Sequence, residues 1–74
     1  MPPTDEEYVE AATAAIMALI AQLDASSDRD ECRHLAAEIR ALVDRAEKTV
    51  APGAADELVE MAEAALVRVA QRRP

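Results

Sequence analysis

The chain's single cysteine and single histidine, Cys32 and His34, stand two residues apart, a spacing that invites comparison with a pair of metal ligands. On a helix each residue advances about 100°, so the two side chains point about 160° apart and cannot share an ion. Cys32 instead continues the apolar positions Leu35, Ala36 and Ile39 and reads as a small core residue. Asp30, His34 and Glu38 do fall on one face, at successive spacings of four. Ligands from one element, open to water, make a poor metal site, and the expectation is a solvated, ion-paired stripe. Arg40, Asp44 and Lys48 repeat the pattern. Asp56, Glu60 and Glu63 cluster further on, and paired carboxylates are what acid and base catalysis needs. Such work also requires burial that separates their pKa values, which an exposed helix face does not supply. There is no Ser/His/Asp set, no glycine-rich phosphate loop and no cysteine with a plausible histidine partner. The sequence therefore predicts no catalytic, metal-binding or cofactor-binding residue.

The elements that would position these residues follow from apolar spacing. Three blocks have helical periodicity: Tyr8, Ala12, Ala15, Ile16, Leu19, Ile20 and Leu23; Cys32, Leu35, Ala36, Ile39, Leu42, Val43, Ala46 and Val50; and Ala55, Leu58, Val59, Ala62, Ala65, Leu66 and Val69. No segment alternates with period two, so no strand is expected. Thr4 with Glu7 reads as a capping box, and Ser27 or Asp28 as the cap of the second helix. Pro52 and Gly53 interrupt before the third, which closes on Arg68, Arg72 and Arg73. The predicted helices cover about residues 4–24, 28–49 and 54–73 of a single domain, 1–74. Their short connections force antiparallel neighbours, giving an all-α, up-down-up antiparallel three-helix bundle.

Composition narrows the partners. Fifteen Asp and Glu against eight Lys and Arg give a net charge of -7, which argues against nucleic acid and anionic membrane surfaces. One aromatic residue, Tyr8, leaves little with which to line a small-molecule pocket. A lone cysteine needs no oxidising compartment, "MPPTDEEY" has no secretory pattern, and the longest uninterrupted apolar run, Ala14 to Ala21, is eight residues. The expectation is a soluble, cytoplasmic protein without a membrane partner.

One stretch fits a simple bundle poorly. "AATAAIMALIA", Ala11 to Ala21, has Thr13 as its only polar side chain, so its helix lacks an ordinary wet face. With the first apolar block turned to the core, Ala11, Ala14, Ala18 and Ala21 form a second line on the far side at spacings of three, four and three, bordered by Met17. Such a seam lets another helix approach closely, and these five residues are the candidate contact surface for a protein partner or for a homodimer. The competing reading is that alanine fills an exposed face because it is the best helix former.

The whole chain resembles de novo designed three-helix miniproteins: "TDEEY" opens the first helix, "DELVEMAEAAL" places acids in front and "RVAQRR" bases behind, and glycine is confined to one turn. That resemblance implies a non-catalytic helical scaffold or protein-binding module. Seven Arg to one Lys, a free cysteine and the long "TVAPGAADE" connection depart from that style. They suit equally a small natural helical adaptor or regulatory domain from a GC-rich genome.

Overall fold

In the computed structural model, which describes residues 3–71, three helices run α1 Asp5–Ala25, α2 Arg29–Thr49 and α3 Asp56–Gln71. The predicted Arg72 and Arg73 lie outside the described residues. Thr4 caps α1, its hydroxyl accepting the Glu7 N–H at 3.1 Å, while the return bond expected of the Glu7 carboxylate is not formed. Asp28 caps α2, with Oδ1 accepting the N–H groups of Asp30 at 2.9 Å and Glu31 at 3.3 Å.

The third helix begins two residues later than the spacing predicts. Two successive turns, Ala54 N–H to Ala51 O at 3.0 Å and Asp56 N–H to Gly53 O at 3.3 Å, hold the chain outside the helix until Asp56. Gly53 takes a φ of +89°, a conformation that side chains disfavour. Ala55 is buried in this connection, and its carbonyl accepts the Val59 N–H at 2.9 Å.

Two contacts at opposite ends fix the up-down-up order. At one end the Asp5 carboxylate accepts the Ala51 N–H at 3.0 Å, joining the start of α1 to the connection that leads into α3. At the other, Arg68 of α3 meets Asp24 of α1 at 3.2 Å. Helices α1 and α3 are therefore parallel, and α2 runs against both. The core is thin: Ile16, Leu23 and Ile39 are the largest fully buried side chains, and Ala46, Ala55, Ala62 and Ala65 fill much of the rest. Small residues bring the helices close but bury little apolar area each.

Candidate interaction surfaces

Apart from Cys32, the residues considered for metal or acid-base chemistry lie on wet faces. His34 Nε2 meets Glu38 Oε1 at 3.0 Å with the two side chains 75% and 47% exposed, and Asp30 does not join them. Lys48 meets Asp44 at 3.0 Å. Arg40, expected in that stripe, makes no ion pair there among the described residues and lines a groove between α2 and α3. Cys32 is half-buried, its thiol donating to the Ser26 carbonyl at 3.6 Å. Asp56, Glu60 and Glu63 are exposed. Among the described residues no three His, Cys, Asp or Glu side chains converge as a metal site would require.

Helix α1 is the unusual element. Of its 21 residues only Ile16 and Leu23 are buried, two turns apart. Tyr8, Val9, Ala12, Leu19 and Ile20 pack half-buried beside them. Ala15, expected in the core, is exposed. Ile16 and Leu23 centre the buried arc, which lies roughly 30° round the helix from the predicted facing, taking in Thr13 at one edge and leaving Ala15 out at the other. The alanine line survives this rotation: Ala11, Ala14, Ala18 and Ala21 are exposed, and Met17 is 56% exposed beside them. On α3, Val67 is 54% exposed, whereas Met61 packs half-buried against the core.

Helix Asp5–Ala25 is also long and apolar enough to cross a membrane, judged by length and composition alone. An 18-residue window in it has a mean hydropathy of 1.3, and 11% of that window is buried. Counting an uninterrupted apolar run understates this, because uncharged Thr13 and Gln22 end the run without dominating the average.

Two concavities stand out among the described residues. A shallow depression of about 410 Å³ lies against the acidic first turns of α1, with Asp5, Glu6 and Glu10 on its rim. A larger open groove of about 1030 Å³ runs between the first half of α2 and the last half of α3. Its walls combine Cys32, Ala36, Leu66, Val69 and Ala70 with Arg29, Arg33 and Arg40. Periodicity identified the alanine face but missed this groove, because its two walls come from different helices. The three Arg in fact share one side of α2 at spacings of four and seven, a signal present in the sequence.

These features define an all-α three-helix bundle whose candidate surfaces are helix faces and the groove between two of them. No family model, curated protein or solved structure matches the chain.

Proposed function

We propose that the protein is a non-catalytic helical scaffold or protein-binding module whose contact face is the outer side of α1, made of Ala11, Ala14, Ala18 and Ala21 with Met17. The observation that carries this reading is the mismatch in α1, the longest apolar stretch of the chain and yet a helix with two buried residues. A helix apolar on most sides is ordinarily covered on most sides. The elongated fold, 46 × 20 × 14 Å in Cα extent, exposes 5315 Å². Surface-to-mass scaling gives about 4450 Å² for a monomer of this size. The excess, about 860 Å², goes with the elongated shape and the small core.

Style resemblance to designed bundles supports the scaffold side of this reading. Arginine-rich composition supports the other origin, a natural adaptor domain that uses the same face to bind a partner helix or a second copy. The acid excess supports a soluble, cytoplasmic setting, and α1 carries no Lys or Arg to draw it to an anionic bilayer.

The test is Ala18→Glu, which places a carboxylate in the middle of the seam without touching the core. Association, followed by light scattering across a wide concentration range and by pull-down, is lost in the variant while helicity by circular dichroism is unchanged. Association equal to wild type removes α1 as the contact face. Flotation with neutral phospholipid vesicles that Ala18→Glu abolishes assigns the face to a bilayer instead of a protein.

A further inference from the structure

The groove between α2 and α3 has a basic wall in an acidic protein. Arg29, Arg33 and Arg40 are exposed, and none makes an ion pair among the described residues. Their placement is locally unfavourable. Arg29 is the first residue of α2, where the helix dipole disfavours a cation, and Arg29 and Arg33 are like charges four residues apart. All three nonetheless line the same groove as the apolar Ala36, Leu66 and Val69. The three span twelve residues, about 16 Å of helix, which is longer than a single small anion needs.

The same molecule carries a stripe that fits. Asp56, Glu60, Glu63 and Val67 lie on one exposed side of α3, and none of the three carboxylates has an ion pair among the described residues. The stripe runs at spacings of four, three and four, as do Arg29, Arg33, Ala36 and Arg40. Because α2 and α3 are antiparallel within one copy, a two-fold axis perpendicular to the bundle sets α2 of one copy parallel to α3 of the other. In that alignment Arg29 faces Asp56, Arg33 faces Glu60, and Arg40 reaches Val67 with Glu63 one turn away. The same contact recurs on the other side of the axis, so the assembly closes at two copies.

We propose that the α2/α3 groove is a self-association site, filled by the acidic first half of α3 from a second copy of this chain. The contact is separate from the α1 face and leaves that face open to another partner.

Charge reversal tests it. Arg33→Glu with Arg40→Glu makes both surfaces acidic; Glu60→Arg with Glu63→Arg makes both basic. Wild type forms a dimer by light scattering at low salt that weakens as salt rises. Each doubly substituted protein associates at least about tenfold more weakly, and an equimolar mixture of the two recovers the dimer, since each then meets its opposite charge. The recovery also shows that both variants fold. A wild type that stays monomeric at millimolar concentration overturns the proposal, as does a mixture that stays monomeric. A wild-type dimer that withstands both reversals but is lost in Ala18→Glu overturns it in favour of the α1 face.

Discussion

Leu23→Ala removes one of the two side chains that anchor α1 and so tests the view that this helix is held by little. Leu23 is fully buried, and with Ile16 it makes up the whole buried set of a 21-residue helix. Burying a leucine stabilises a fold by about 1.5–3 kcal/mol through transfer from water. The residual cavity raises the measured cost of leucine to alanine to about 2–5 kcal/mol. A single core of this size supplies roughly 3–5 kcal/mol in all. The variant therefore sits near its folding midpoint at room temperature. In a domain of this length each kcal/mol moves Tm by about 4–8 °C, so the melting temperature falls by about 8 °C or more. The assay is urea and thermal unfolding followed by circular dichroism, with amide hydrogen exchange to locate the loss. Exchange accelerates first in the second half of α1, beyond Ile16. Met17→Ala on the same helix, half-exposed in the wild type, is the control and shifts stability by less than about 0.5 kcal/mol. A Leu23→Ala cost below about 1 kcal/mol, or equal costs for the two variants, would refute the packing described for α1.

Asp28→Ala leaves the N–H groups of Asp30 and Glu31 without their acceptor and costs about 1 kcal/mol in chemical denaturation. Ser27→Ala, at the other residue eligible as the cap, changes little, and a larger loss at Ser27 would reverse the assignment. Gly53→Ala costs about 1–2 kcal/mol from backbone conformation alone, because a Cβ there would meet its nearest atom, Asp56 Oδ2, at an ordinary 3.8 Å. An unchanged unfolding midpoint in that variant would show that the turn can abandon its positive φ.

Local chemistry made several elements legible in the sequence. Apolar spacing gave three helices and no strands; Thr4 and Asp28 are caps because short oxygen-bearing side chains satisfy the donors of a first turn, whatever the rest of the chain does. The alanine line of α1 was legible for the same reason, since side chains seven residues apart stay on one face even when the helix rotates. What periodicity could not supply was the rotation itself. Ala15 stands at one edge of the predicted arc and is exposed, while Thr13, beyond its other edge, is half-buried, because the centre of the arc is set by the packing of Ile16 and Leu23 into the common core.

Contacts between helices needed the assembled fold. Nothing within four residues of Asp5 points to Ala51, and nothing near Asp24 points to Arg68; each pair meets because the bundle's ends coincide. The turn residues Pro52 and Gly53 announced an interruption, but apolar spacing did not show that two local turns, each closed across three residues, delay α3 to Asp56. The groove is likewise a property of two helices, since its floor from α3 and its basic wall from α2 are about thirty residues apart in the chain. The sequence determined which faces are apolar and which are charged, because that is fixed by helical geometry one residue at a time. Only the tertiary structure decided which apolar faces are covered, and it left α1 mostly bare because two neighbouring helices cannot enclose a helix that is apolar nearly all the way round.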